Sequence, residues 1–197
     1  KESSSLIHMF FAQRNALKIP DISKETITYS INSAAVIGCG TMGGGIAMNF
    51  ANVGIPVVVI ENSQESLDKG IKLIEKNYSN TVSKGRMSED DFKKRMSLIK
   101  GATSLESISN ADIIIEAVFE EMNLKKDMFK RIDKIAKKDC ILATNTSTLD
   151  IDQIANVTSR PGDVIGTHFF SPANVMRLLE VVRGTNTNKE VIATTMK

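Results

Sequence analysis

Ala34-Ala35-Val36-Ile37-Gly38-Cys39-Gly40-Thr41-Met42-Gly43 is the stretch on which the reading of this chain turns. A short apolar run ends in Gly38, Gly40 and Gly43, which stand at GxGxxG spacing just where a helical pattern begins. Such turns are common, and the spacing acquires meaning only between a strand and a helix, the context found here. In that setting Gly38 permits the tight turn, Gly40 lets a pyrophosphate approach the backbone, and Gly43 lets the helix pack closely on the strand. Thr41 and Met42 complete the turn, and the free N–H groups at the helix start face the phosphate charge. The competing reading is an ordinary strand-to-helix connection.

Downstream, the pattern predicts a helix over 43–53, a strand over 57–60 and a helix from about residue 63. Glu61 closes that second strand about 20 residues past the turn, where a carboxylate accepts hydrogen bonds from ribose hydroxyls. It would repel a 2′-phosphate, so NAD rather than NADP is the expected cofactor; a solvated strand end is the alternative for Glu61. The helix after it turns Leu67, Ile71, Ile74 and Tyr78 to one side and Lys69, Lys72 and Lys76 to the other, a sheet-packing helix with a basic outer face. Ser88 and Asp91 have capping-box spacing, with Met87 and Phe92 placed as a hydrophobic staple, so a further helix is expected there, ending near residue 96.

Strands are expected over 98–103, 112–118, 141–144, 164–169 and 178–182, with a helix over 124–137 among them. Alternating strands and helices imply right-handed parallel βαβ units. The fold class is therefore α/β, a Rossmann-like, mostly parallel sheet with flanking helices, preceded by a short linker helix over 6–17 with one apolar face. Residues 1–30 are read as linker helix and connector from an upstream region, 31–187 as the main domain, and 188–197 as the start of a helix leading toward a further domain.

Among the 197 residues, 25 basic side chains nearly balance 23 acidic ones, which is not the single-sign field of a nucleic-acid or membrane-surface binder. Small-molecule partners are favoured. Cys39 and Cys140 lie far apart in apolar runs and match no metal-ligand spacing, so free thiols in a reducing compartment and no metal site are expected. No apolar run approaches bilayer length, and the chain reads as soluble.

Three segments place polar groups at strand ends, where open α/β sheets bind ligands: Thr144 to Thr148, Thr167 to Pro172 and Leu178 to Val181. His168, one of two histidines, is a candidate acid/base, and Glu180 could bond its far ring nitrogen, fixing the tautomer and supporting the imidazolium. Taken alone, a histidine beside two phenylalanines reads more readily as a core residue.

The ordered set GCGTMG with MGGGIA, EAVFEE followed by LKK, TNTST, THFFSP and LLEV closely resembles the 3-hydroxyacyl-CoA dehydrogenase family over about residues 33–182. The THFFSP and MRLLEV wording is most similar to the peroxisomal bifunctional enzymes of fatty-acid β-oxidation, and residues 9–14 resemble the helix that joins their hydratase and dehydrogenase regions. The resemblance implies NAD-dependent oxidation of a 3-hydroxyacyl-CoA, an acyl-CoA partner, an upstream hydratase, a downstream helical domain and a peroxisomal setting. It makes His168 the acid/base, Glu180 its orienting partner and Ser147 a neighbour of the substrate hydroxyl. It further implies that Asn145 lies beside the nicotinamide, that Ala117, Glu120 and Lys125 line the dinucleotide, and that Lys84 contacts the CoA moiety. For Lys84 and Lys125 the competing reading is a solvated helix face.

Two departures qualify the match. Many members carry asparagine where Ser171 stands, so an amide contact to cofactor or substrate becomes a hydroxyl contact or is lost. The family's helical C-terminal domain, which supplies a catalytic asparagine, has no counterpart before Lys197. Two other readings remain beside this one: a β-hydroxyacid dehydrogenase acting on free acids, which would be expected to use a lysine on a later helix, and a non-catalytic dinucleotide-binding module.

Overall fold

In a computed structural model, which describes residues 2–197, the apolar runs become the strands of one sheet. Strands β1 (Ala34–Ile37), β2 (Val57–Ile60), β3 (Ile99–Ala102), β4 (Ile113–Glu116), β5 (Ile141–Thr144) and β6 (Val164–Phe169) are parallel, and β7 (Leu179–Arg183) runs antiparallel beside β6. The spatial order is β3-β2-β1-β4-β5-β6-β7. β1, β4 and β5 are buried along their whole length. Strands covered on both faces read as continuous apolar runs rather than as alternation.

Helices α1 (Glu2–Ala16), α2 (Thr41–Asn52), α3 (Gln64–Ser83), α4 (Glu89–Ser97), α5 (Met122–Ile135), α6 (Ile151–Ala155) and α7 (Lys189–Met196) flank it. Ile46, Leu67, Ile74, Tyr78, Val191 and Ile192 fill one face of the sheet, and Phe129, Ile132, Ile151 and Ile154 the other. The order reverses between β1 and β4, so the connections leave the C-terminal strand ends in opposite directions and open a crevice there.

Local chemistry sets the helix starts. Ser63 accepts the Ser66 N–H ahead of α3, Ser88 accepts the Asp91 N–H ahead of α4, and Met87 and Phe92 both pack against the core as a staple requires. Lys69, Lys72 and Lys76 are exposed, giving α3 the basic outer face its pattern implied.

The single apolar face expected on the first helix is not found. At 3.6 residues per turn, Leu6, Ile7, Met9, Phe10 and Phe11 cover about 200° of the circumference, and each is at least 53% exposed. The five-residue α6 was not anticipated, being too short to show a period. Asp150 starts it by accepting the Asp152 and Gln153 N–H groups.

Residues following α1 lie on the main unit: Ile19, Ile22, Tyr29 and Ile31 pack against the core, the Tyr29 N–H donates to Thr194 Oγ1 of α7 at 2.9 Å, and Arg183 of β7 meets Asp21 at 2.6 Å. Asp112, just before β4, ties the entry to β1. Its Oδ2 accepts the Asn32 and Ser33 N–H groups at 2.8 and 2.9 Å, and its Oδ1 receives Lys137 Nζ at 2.5 Å. Burial pushes this carboxyl up, but Lys137, Asn32 and Ser33 outweigh burial and hold it below its ordinary value.

Asp112→Ala leaves two N–H groups and an ammonium without their acceptor, which should cost about 2 kcal/mol and lower the melting temperature by roughly 4 to 8 °C at neutral pH. Because the folded carboxyl is the stronger acid, this contribution is present above the ordinary carboxyl range and lost as pH falls through the folded value. Thermal melts should therefore show the gap between the two proteins closing below about pH 4, and a gap that stays constant into that range would be the contrary result.

Candidate active site

The glycine turn sits at the C-terminal end of β1, beside the crevice. Gly38 has φ 99°, a conformation L side chains rarely adopt. A Cβ there would meet the Ala117 carbonyl oxygen at 2.8 Å, so the end of β4 packs directly on the turn. A Cβ on Gly43 would collide with the Gly38 carbonyl. Gly40 differs: a Cβ on it meets nothing within 4 Å, and its φ of −73° suits any residue. Thr41 is exposed and Met42 half-buried at the start of α2. Where α3, α4, α5 and α6 carry side-chain caps, α2 begins at Gly40 with none. Its first N–H groups therefore lack intrahelical partners and are available to an anion. Open space over Gly40 and an uncapped helix start are what a pyrophosphate requires.

Glu61 reaches back to this turn. Its Oε1 accepts the Cys39 N–H at 2.7 Å and its Oε2 the Asn62 N–H at 3.2 Å, so the carboxylate is held beside the turn with lone pairs left over. Cys39 itself is buried, and burial raises its thiol to about 11, which makes it inert packing.

Across the switch point, the loops after β4 and β5 are tied together by Glu120. Its Oε1 accepts the Thr146 hydroxyl at 2.5 Å, the Ser147 N–H at 2.8 Å, and the Ser147 hydroxyl and Thr148 N–H at 3.3 Å. Burial pushes the Glu120 carboxyl up, but Thr146, Ser147, Lys125 and Thr148 together bring it below its ordinary value. Lys125, for which a solvated helix face was the alternative to a place on the dinucleotide, is buried. Its side chain is 1% exposed, with Nζ 2.7 Å from Glu116 Oε1 and 3.4 Å from Glu120 Oε2. Lys84, at the C-terminal cap of α3, is exposed.

β6 and β7 supply the third part. Their antiparallel register sets His168 directly opposite Glu180, and His168 Nδ1 lies 2.9 Å from Glu180 Oε2. An ionised carboxylate only accepts, so Nδ1 carries a proton, and in the neutral imidazole Nε2 is then the nitrogen with the lone pair. The Phe170 ring lies against the imidazole with centroids 4.7 Å apart. Asn145, at the end of β5, accepts the Phe169 N–H at 2.9 Å and so fixes the neighbouring strand end. Ser147 and Ser171 are both exposed, Ser171 next to a cis bond to Pro172.

Two contributors escaped the sequence reading. A Cβ on Gly45 would lie 3.1 Å from Ala173 Cβ and from the Asn174 N, and Asn49 Nδ2 donates to the Ala173 carbonyl at 3.0 Å. They seat the loop carrying Ser171 on α2, above a cavity of about 200 Å³ lined by Thr41, Gly44, Asn77, Pro172 and Val175. The run Gly43-Gly44-Gly45 was the available signal, since one glycine serves the strand contact and three imply further close neighbours.

Residues 33–197 match the family model described as the 3-hydroxyacyl-CoA dehydrogenase NAD-binding domain. The chain is 43% identical over 191 residues, 96% of its length, to the peroxisomal fatty acid beta-oxidation multifunctional protein AIM1 of Arabidopsis thaliana, of which it covers 26%. It is 45% identical over 155 residues to a 3-hydroxybutyryl-CoA dehydrogenase of Clostridioides difficile, covering 79% of this chain and 55% of that one. The dehydrogenase part of multifunctional enzyme 1 from C. elegans superposes with a TM-score of 0.80 at 35% identity, over 90% of this chain and 41% of that one. The chain thus spans about a quarter of the length of the multifunctional relatives it matches. NAD is the cofactor of this domain type, and the cradle around Gly40 fits its pyrophosphate.

The glycines should separate by function. Gly40→Ala should melt within about 2 °C of the parent, as for a surface change, yet lose NADH affinity because its methyl fills the cradle. Gly43→Ala should lose affinity and stability together. Fluorescence titration with NADH beside thermal melting checks both, and unimpaired NADH binding by Gly40→Ala would contradict the placement of the cofactor.

Proposed function

The chain belongs to the 3-hydroxyacyl-CoA dehydrogenase family, and from that membership and the site geometry we propose that it serves the NAD-dependent, reversible oxidation of (S)-3-hydroxyacyl-CoA to 3-ketoacyl-CoA. The observation that carries the proposal is the His168–Glu180 pair, bonded at 2.9 Å at the mouth of the crevice that begins at the glycine turn. When bound, NAD supplies the hydride acceptor. His168 Nε2, with its lone pair free, takes the proton from the substrate hydroxyl as the hydride leaves the carbon that bears that hydroxyl. Glu180, accepting from Nδ1, keeps the ring in that tautomer and stabilises the charge it gains.

The remaining roles are those that the family resemblance implies. Glu61 takes the adenosine ribose, while Ala117, Glu120 and Asn145 line the nicotinamide half. Ser147 offers its hydroxyl to the substrate oxygen, Ser171 stands at the loop above, and exposed Lys84 meets the CoA moiety. Lys125 serves the crevice through Glu120, toward which its ammonium is turned.

Proton and hydride leave neighbouring atoms, so all three groups must be held in near-attack geometry, which contributes on the order of 7 to 11 kcal/mol in favourable cases. Exposed Phe119, Val175, Met176 and Leu178 rim the crevice. They suit a helical closing domain following residues 188–197 in a longer polypeptide. That polypeptide would carry a hydratase ahead of residues 1–30 and work in peroxisomal fatty-acid β-oxidation, as the names of the multifunctional relatives suggest.

Two outcomes follow. The 197-residue chain should bind NADH but reduce acetoacetyl-CoA slowly, and robust specific activity from the isolated chain would contradict the need for a closing domain. In a longer polypeptide that is active, His168→Gln should lower kcat by about 10² to 10⁴ with NADH affinity little changed; a preference for free hydroxy acids over acyl-CoA, or an unaltered rate, would sink the proposed reaction.

A further inference from the structure

Glu116 is the most deeply buried charge near the crevice, and none of the motifs gives it a task. Its side chain is 0% exposed and that of its partner Lys125 1%. A buried ion pair is a poor stabiliser, because desolvation offsets the attraction, and apolar replacement of both partners is often neutral or better. Stability is therefore a weak explanation for this pair, and its bonds suggest another.

Glu116 Oε1 accepts the Val118 N–H and Lys125 Nζ, each at 2.7 Å, and Oε2 accepts the Thr144 hydroxyl at 2.7 Å. Thr144 Oγ1 in turn accepts the Thr146 N–H at 3.3 Å. Lys125 Nζ also donates to the Val118 carbonyl and faces Glu120 Oε2, each at 3.4 Å. Glu120 then gathers the donors of residues 146–148. Both routes out of Glu116, one through Thr144 and one through Lys125 and Glu120, end on the turn that bears Ser147. The Ser147 hydroxyl bond to Glu120, at 3.3 Å, is longer than the bonds from Thr146 Oγ1 and Ser147 N to the same oxygen. The Thr148 N–H lies as far from that oxygen, but only the hydroxyl can rotate away, so it is the one most readily exchanged for a substrate oxygen, while the backbone bond keeps the residue in place.

We infer that Glu116 is a positioning residue. Through Lys125 and Thr144 it fixes Glu120 and the 146–148 turn, and so aims the Ser147 hydroxyl at the substrate. The inference rests on the functional reading above. Lys125 becomes a positioning cation that acts on the crevice through Glu120.

The test is the amide spectrum of the ¹⁵N-labelled chain, with and without NADH. In Glu116→Gln the Ser147 and Thr148 amide signals, held by a carboxylate in the parent, should shift and exchange faster with solvent. The Cys39 amide, held by Glu61, should stay in place. In an active longer polypeptide kcat should fall about 10- to 100-fold, with NADH affinity within about threefold, an order-of-magnitude expectation for a misplaced group outside the cofactor cradle. Should Glu116→Gln fail to fold, Glu116→Leu with Lys125→Met removes both charges and leaves neither uncompensated. That double variant should fold and show the same altered signals. Folded variants whose Ser147 and Thr148 signals match the parent would overturn the positioning role alone. A parent chain that does not bind NADH would instead overturn the functional reading, whatever these amides do.

Discussion

Contact between two backbones, Gly43 of α2 and the Gly38 carbonyl at the end of β1, is the constraint on which the rest of the molecule depends. With no side chain between them, α2 starts against the strand, and its free N–H groups and the positive end of its dipole arrive at the crevice. The local cost is considerable. A helix with three consecutive glycines near its start, Gly43 to Gly45, is disfavoured by about 1 kcal/mol per glycine relative to alanine. Tertiary contact supplies what propensity lacks, since these glycines let Val36, Ile74 and Ala173 approach from three directions. A local rule broken in favour of close approach is a mark of a functional site.

The placement of charge obeys the same geometry. Glu61 ends the segment after β2, Glu116 ends β4, Thr144 ends β5, and His168 lies near the end of β6. All are C-terminal strand ends, and each bonds a neighbouring strand or loop rather than a group within its own strand. Asp112, at the opposite end of β4, bonds Asn32, Ser33 and Lys137 and holds the entry to the sheet. One end of β4 carries a structural carboxylate and the other a carboxylate within the network behind Ser147, a division that parallel strands allow because all their C-terminal ends share one edge.

Much of this was legible because the strands are apolar runs bounded by glycine, proline and polar residues; β1, β2, β5 and β6 have the limits their sequences imply. Pair relations were less legible. For Lys125 a solvated helix face stood as the alternative to a place on the dinucleotide, yet Lys125 shares the inward stripe of α5 with Phe129 and Ile132, and that spacing spoke for burial. Glu116 was hidden as the last residue of an isoleucine run, since sequence does not say which cation a buried carboxylate will meet. The apolar residues of α1 defied a single-face reading because their positions spread too widely for one flank to cover.

The histidine pair depends on register more than on either residue. β7 is the only antiparallel strand among the described residues, and its alignment puts Glu180 across from His168, with Leu179 across from Phe169. Shifting β7 by one residue would set Leu179 or Val181 opposite the histidine and turn Glu180 to the other face of the sheet. Several contacts oppose that slip: Leu179 is half-buried, Val181 packs against the core, Arg183 is held by Asp21, and Asn145 secures the Phe169 N–H on the adjacent strand end. An edge strand has one neighbour and little else to fix its alignment, so packing and ion pairing remote from the crevice determine whether the imidazole has its carboxylate.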